Sequence, residues 1–251
     1  FSPDGKEIAF LQDRTTLCVY NIKTKKTRVV LDGKYNYSYS DGDQTYAWSP
    51  DSKWFLAKYI AIGGWNNTDI ALVKADGSGE IHNLTESGYT DASPRWVLGG
   101  KAMIWSSDRA GFRSHGSWGA EKDVYIMFFD GKAYADFLKD KEDREIDKMM
   151  SDEKKPKKEK KDSAKVEKKE EKLVLDLDDR KDRIVKLTRF SGRLGDHYLT
   201  QDGKKLYYSV RLERSSDLCV LDLEDNSVKV LIKGLTGSFY PSSDDKYIFL
   251  H

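Results

Sequence analysis

Ser2-Pro3-Asp4-Gly5-Lys6-Glu7-Ile8-Ala9-Phe10 is a tight turn followed by a short β-rich run, and the chain returns to this pattern four more times. The echoes are Ser49-Pro50-Asp51-Ser52-Lys53-Trp54-Phe55-Leu56-Ala57, Gly99-Gly100-Lys101-Ala102-Met103-Ile104-Trp105, Asp202-Gly203-Lys204-Lys205-Leu206-Tyr207-Tyr208 and Asp244-Asp245-Lys246-Tyr247-Ile248-Phe249. A repeat of this kind means a repeated supersecondary unit, so it sets the fold before any single residue does.

The second turn residues, at positions 5, 52, 100, 203 and 245, are separated by 47, 48, 103 and 42 residues. A period of roughly 40 to 50 residues fits one four-stranded propeller blade. The long gap reads as one blade interrupted by an insertion.

Each turn is followed by further β-type runs. Leu17-Cys18-Val19-Tyr20-Asn21-Ile22 matches Leu218-Cys219-Val220-Leu221-Asp222-Leu223 position for position, and Ile70 to Asp76 and Val124 to Asp130 occupy the corresponding places. Thr27 to Leu31, Ile81 to Thr85, Ile184 to Thr188 and Ser227 to Leu231 close the unit. These runs are β-branched or aromatic and bounded by turn residues, which is the signature of strands. No window of the repeats carries sustained apolar residues at helical spacing. The expected fold is an all-β β-propeller, about four to five blades of a six- or seven-bladed ring.

Composition agrees. Aromatics at 12% supply bulk between stacked sheets, and 34% charged residues keep the outside wet. The formal net charge of +1 lacks the excess expected of a nucleic-acid surface. No run approaches the roughly 18 apolar residues of a membrane span. Cys18 and Cys219 sit at equivalent positions of different repeats, normally beyond disulfide reach, and are read as buried apolar residues. Phe1 opens inside a repeat and His251 stops before the last one is complete, so the expectation is a piece of a longer protein. The expected organisation is blades over 1–130, a charged insertion over 131–172 and blades over 173–251.

Within the insertion, Ala133 to Met150 is helix-friendly, with Phe137, Leu138, Ile146, Met149 and Met150 as its apolar positions. Ser151 to Lys172 is nearly all Lys, Glu, Asp, Ser and Pro and is expected to be a solvated excursion. Its lysines are interleaved with Glu153, Glu159, Asp162, Glu167, Glu170 and Glu171, which cancels most of the local field.

Chemistry is sparse. His82, His115, His197 and His251 are scattered without metal-ligand spacing, and no Cys-x-x-Cys occurs. Asp196-His197 beside several serines is not a triad without further support, and no Gly-x-Ser-x-Gly elbow exists. No phosphate-binding glycine loop follows a strand, so no catalytic residue, metal or cofactor is expected. One loop stands out, running from Ser106 to Ala120. Arg109, Arg113, His115 and Trp118 on it are candidate peptide contacts, Arg113 as a carboxylate fork and Trp118 as an apolar platform. The competing reading is a long connector with Trp118 tucked against a blade edge.

The Ser-Pro-Asp-Gly-Lys repeats resemble TolB-type propeller blades. Tyr89-Thr90-Asp91-Ala92-Ser93-Pro94-Arg95-Trp96, the Arg113 to Gly119 loop, Asp123 to Phe129, the Lys/Glu-rich insertion, and Leu175 to Arg180 leading into Arg183 to Thr188 together resemble the propeller region of tricorn-like serine peptidases, particularly Bacteroidetes-type members. That resemblance implies a propeller upstream of a PDZ domain and a catalytic core of the C-terminal processing peptidase type, neither of which is found here. It implies a non-catalytic part in proteolysis: guiding or filtering peptide or unfolded polypeptide substrates and scaffolding the hydrolase half. The implied partners are the remaining blades and those domains, with homo-oligomers possible. The implied compartment is the cytoplasm, with the periplasm as the alternative. A TolB-like protein-binding module, or a propeller preceding an α/β-hydrolase of prolyl-oligopeptidase type, are the rival readings.

Overall fold

The computed structural model describes residues 1–36, 43–64, 66–113, 118–153, 173–211, 214–242 and 244–251. Among these the repeats fold into successive antiparallel sheets. The first holds β1 (Glu7–Gln12), β2 (Thr16–Asn21) and β3 (Thr27–Leu31), and the second β4 (Tyr46–Trp48), β5 (Trp54–Tyr59), β6 (Asp69–Lys74) and β7 (Ile81–Asn83). The third holds β8 (Asp91–Val97), β9 (Ala102–Ser107), β10 (Asp123–Phe128) and β11 (Ile184–Lys186). The fourth holds β12 (Arg193–Leu199), β13 (Lys205–Arg211), β14 (Ser216–Asp222) and β15 (Val228–Leu235), and a last pair is β16 (Phe239–Pro241) with β17 (Ile248–Leu250).

The repeated turn has a definite hydrogen-bond chemistry. Ser2 Oγ donates to Asp4 Oδ1 at 2.7 Å and accepts from the Glu7 N–H at 3.0 Å, while Asp4 Oδ1 accepts from the Lys6 N–H at 3.1 Å. Ser49 with Asp51, Thr200 with Asp202 and Ser242 with Asp244 repeat the arrangement, at 2.6, 2.6 and 2.7 Å for the hydroxyl-to-carboxylate bond. The residue after each aspartate turns left-handed: Gly5 at φ 71°, Ser52 at 60°, Gly203 at 71° and Asp245 at 59°. The third repeat lacks the Ser and Asp and instead makes a short 3-10 turn, Leu98–Gly100, with all three residues at positive φ.

Successive turns touch. The Asp4 N–H donates to Ser52 Oγ at 3.2 Å, and the Gln201 N–H donates to Asp245 Oδ2 at 2.7 Å. A Cβ placed on Gly100 would lie 3.2 Å from Pro50, and one on Gly203 would lie 2.8 Å from Leu98. The five turns therefore form one continuous row on one side of the sheets.

Apolar cores fill the spaces between neighbouring sheets. Leu17, Val19, Phe55 and Val73 pack between the first and second, and Leu56, Leu72, Met103 and Trp105 between the second and third. Ile104, Ile126, Leu206 and Leu221 join the third to the fourth, and Leu218, Leu235 and Phe239 join the fourth to the last pair. Cys18 and Cys219 are free and buried on the matching strands β2 and β14.

The chain leaves the third sheet after β10 and rejoins it as β11. Between them, two helices replace the single expected one: α1 (Gly131–Leu138) and α2 (Lys141–Glu153). Asp130 caps the first by accepting from the N–H groups of Lys132 and Ala133, and Asp140 accepts from the Asp143 N–H at 2.8 Å. Phe137 packs on Phe128 with ring centroids 5.0 Å apart, tying α1 to the sheet. The charged run over 154–172 lies outside the described residues.

Candidate functional site

The connection from β9 to β10 rises from the side of the sheets opposite the row of turns. Its base is built from three buried aspartates, Asp91 at the start of β8, Asp108 just after β9 and Asp123 at the start of β10. Ser107 pairs in register with both Asp91 and Asp123, so the ends of three strands meet there.

Arg109 Nη2 donates to both carboxylate oxygens of Asp91 at 3.1 Å, and its Nε donates to Ser107 Oγ at 3.0 Å. Its guanidinium lies 5.5 Å from the Trp105 ring centre and 4.9 Å from that of Tyr125. Asp91 also accepts from Trp105 Nε1 at 3.1 Å and from Ser87 Oγ at 2.7 Å. Its charge is thus met on every side, as a buried carboxylate requires. Burial pushes the Tyr125 hydroxyl up to about 12, with nearby Asp123 adding to it.

Arg113 is held one layer further out. Its Nε lies 3.4 Å from Asp108 Oδ2, Nη1 donates to the Gly88 carbonyl at 2.9 Å, and Nη2 donates to Asn67 Oδ1. The guanidinium also lies 5.5 Å from the Tyr89 ring centre. Gly111 permits the loop to fold back, because a Cβ there would come within 2.2 Å of the Glu121 carbonyl oxygen. The Glu121 N–H then donates to the Phe112 carbonyl at 2.8 Å.

Of the residues singled out from the sequence, Arg109 and Arg113 are thus committed to the loop's own foundation. His115 lies outside the described residues. Trp118 is 65% exposed and Phe112 67%. Exposed aromatic surface on an anchored stalk suits contact with an apolar or extended partner. Sequence reasoning missed Asp91 and Asp108 as the organising groups. The recurring Asp at strand starts was the available signal: Asp69 and Asp123 each accept from a threonine, Thr85 at 3.0 Å and Thr188 at 2.6 Å.

Among the described residues the histidines show no catalytic pairing. His82 Nε2 meets Glu80 at 3.0 Å on the surface, and both ring nitrogens of buried His197 have no hydrogen-bond partner. Among the described residues no group of three His, Cys, Asp or Glu could hold a metal ion, and no helix is long and apolar enough to cross a membrane.

No protein-family model matches this sequence, and no curated protein does. Solved structures do match in shape. A tricorn protease crystal structure superposes with TM-score 0.64 at 13% identity, over 99% of this chain and 23% of that one. TolB from Acinetobacter baumannii gives 0.58 at 18% identity, over 99% and 46%. A Mycobacterium tuberculosis puromycin-hydrolyzing peptidase gives 0.53 at 12% identity, over 96% and 34%. The chain spans less than half the length of each. At such identities the likeness is one of fold, the propeller of TolB and tricorn type.

Proposed function

We propose that this chain is a non-catalytic propeller segment of a tricorn-like serine peptidase, which guides extended peptides toward a catalytic half and scaffolds it. The observation that carries the reading is the Ser106 to Ala120 connection. Buried ion pairs fix its base, while Phe112 and Trp118 stand in solvent. Phe112, held between the anchored Arg113 and the hydrogen bond from Glu121 to its own carbonyl, offers an apolar contact at little entropic cost on binding. The fold likeness to tricorn protease supports the same assignment. In this reading the sheets belong to a six- or seven-bladed ring, the segment 131–172 is an insertion in one blade, and the remaining blades, a PDZ domain and the peptidase core are its partners. Its compartment is the cytoplasm, with the periplasm as the alternative.

The test is binding of fluorescently labelled long and short unfolded peptides to the chain and to its Phe112→Ala and Trp118→Ala variants. Long peptides should bind the variants about tenfold more weakly, the loss of one apolar anchor. Unchanged binding would refute the assigned surface. Capture of a folded partner but not of unfolded peptides would favour a TolB-like protein-binding module.

A further inference from the structure

The fourth sheet sets two arginines face to face. Arg193 of β12 and Arg211 of β13 are direct cross-strand partners, just before the bulge that separates Leu194 from His197 along β12. Strand β8, which likewise opens its sheet, carries the corresponding bulge between Ala92 and Arg95. The turn at Asp202 and Gly203 joins the other ends of β12 and β13, so the two arginines lie on the side from which the β9 to β10 connection rises. Residues directly opposite carry their side chains on one face, with Cβ atoms roughly 4.5 to 5.5 Å apart, and like charges so placed repel. Both arginines are exposed.

No carboxylate answers them. The row continues across β14 as Ser216, opposite Arg211, and across β15 as Leu235, opposite Ser216. Asp217, the next residue of β14, pairs with Val210 and so lies on the other face, where its Oδ1 accepts from the Gly234 N–H at 3.0 Å. Among the described residues neither guanidinium forms an ion pair or a hydrogen bond.

The pair is fitted against the β9 to β10 connection. Where that connection enters β10, the Lys122 N–H donates to the Gly192 carbonyl at 2.6 Å, and the Gly192 N–H donates back to the Lys122 carbonyl at 3.1 Å. The next residue is Arg193, and its guanidinium covers Gly119: a Cβ placed there would lie 3.6 Å from Nη2 and 3.7 Å from Cζ. Gly119 directly follows the exposed Trp118. Three residues before Arg193, Phe190 is 45% exposed on a segment pinned on both sides, because Asp123 accepts from Thr188 Oγ1 and from Ser191 Oγ at 2.6 Å each. Uncompensated positive charge and exposed aromatic rings therefore occur together on this side of the sheets.

We infer that Arg193 and Arg211 make this surface selective for extended peptides rich in Asp and Glu. The two guanidinium forks take side-chain carboxylates, while Trp118 and Phe190 meet neighbouring apolar residues of the same peptide. This selectivity rests on the peptide-contacting role proposed for the loop, and it names the substrate class. An anion held between two opposed like charges relieves their repulsion, and the planar fork matches a carboxylate with two parallel hydrogen bonds. The formal net charge of +1 leaves no broader basic field of the kind that nucleic acids require.

The experiment titrates the full chain, at constant ionic strength, with two labelled peptides blocked at both ends so that no terminal carboxylate is present. One alternates Glu with Phe, and the other has Gln in place of every Glu. The Glu peptide should bind about tenfold more tightly, the effect of one charge-assisted hydrogen bond. That ratio should fall to about one in the double variant R193Q/R211Q, and R193K/R211K, which keeps the charge without the fork, should restore only part of it. Trp118→Ala should weaken both peptides alike and leave the ratio unchanged. Equal binding of the two peptides by the wild type overturns the selectivity and leaves the role of the loop standing, whereas binding of neither overturns both. A ratio untouched by R193Q/R211Q, or tighter binding of a single-stranded oligonucleotide than of the Glu peptide, also overturns the selectivity. R211Q has a further readout that needs no peptide. Relief of the like-charge pair should leave its thermal midpoint at or above that of the wild type, and a marked fall would mean that Arg211 has a structural partner and would overturn the inference.

Discussion

Arg109 grips Asp91 with one nitrogen on both carboxylate oxygens, at 3.1 Å each, although Asp91 is wholly buried and Arg109 is 21% exposed. The pair closes the point where β8, β9 and β10 meet. Removing one member of a buried pair costs about 3 to 5 kcal/mol, because the survivor keeps its desolvation penalty. Arg109→Leu should therefore lower stability toward the bottom of that range, since Trp105 and Ser87 still donate to Asp91. Urea unfolding measures this, and a change below about 1 kcal/mol, the range of an exposed pair, would contradict the burial argument.

His197 predicts an acid-labile fold. Burial holds its folded pKa at about 3, below its ordinary value of 6.5, so the unfolded chain takes up the proton first as pH falls. The stabilisation is complete above about 6.5 and is lost on going down toward 3, at up to about 1.4 kcal/mol per pH unit. Between pH 6.5 and 5.5, a unit or more above the ordinary values from which Asp4, Glu7, Glu80 and Glu86 are lowered, the carboxylates contribute little. Chemical denaturation across that interval should show a slope in the wild type and a nearly flat line in His197→Phe.

Gly5 and Gly203 share a φ of 71° but differ in their surroundings. A Cβ at Gly5 meets open space, whereas one at Gly203 comes within 2.8 Å of Leu98 in the neighbouring turn. Gly5→Ala should cost about 1 to 2 kcal/mol from the left-handed backbone alone. Gly203→Ala should cost more, because it also pushes two adjacent turns apart. Equal losses in thermal unfolding would show that the turns are not coupled.

Burial raises the thiol pKa of both Cys18 and Cys219, with neighbouring Asp13 and Asp217 adding to it. Thiolate-dependent reagents should label neither in the native chain within the time that labels both in denaturant. Fast native labelling of either would mean that its sheet opens locally.

The repeat was legible because Ser-x-Asp-x-Lys turns carry their own hydrogen bonds: the hydroxyl, carboxylate and two backbone N–H groups lie within six residues. Strand positions followed from the β-branched and aromatic runs between them. The break between α1 and α2 was not read, although Asp130 and Asp140 stand as caps in plain view, because helical composition hides a cap followed by charged residues. The bulges in β8 and β12 were invisible for a different reason. A bulge is a disagreement of register between two strands, and neither strand states it alone. For the same reason Arg109 read as a peptide contact. Its partner Asp91 is assigned by strand pairing, across 18 residues.

Helices α1 and α2 leave the third sheet on the side of the turn row, near Lys101 and Gly203, whereas the Phe112 and Trp118 loop leaves from the other ends of β9 and β10. Six-residue strands put roughly 20 Å between those ends. A visitor docked on the helices therefore cannot crowd one at the loop. Anything bound at one of these faces would be felt at the other only through the strands themselves.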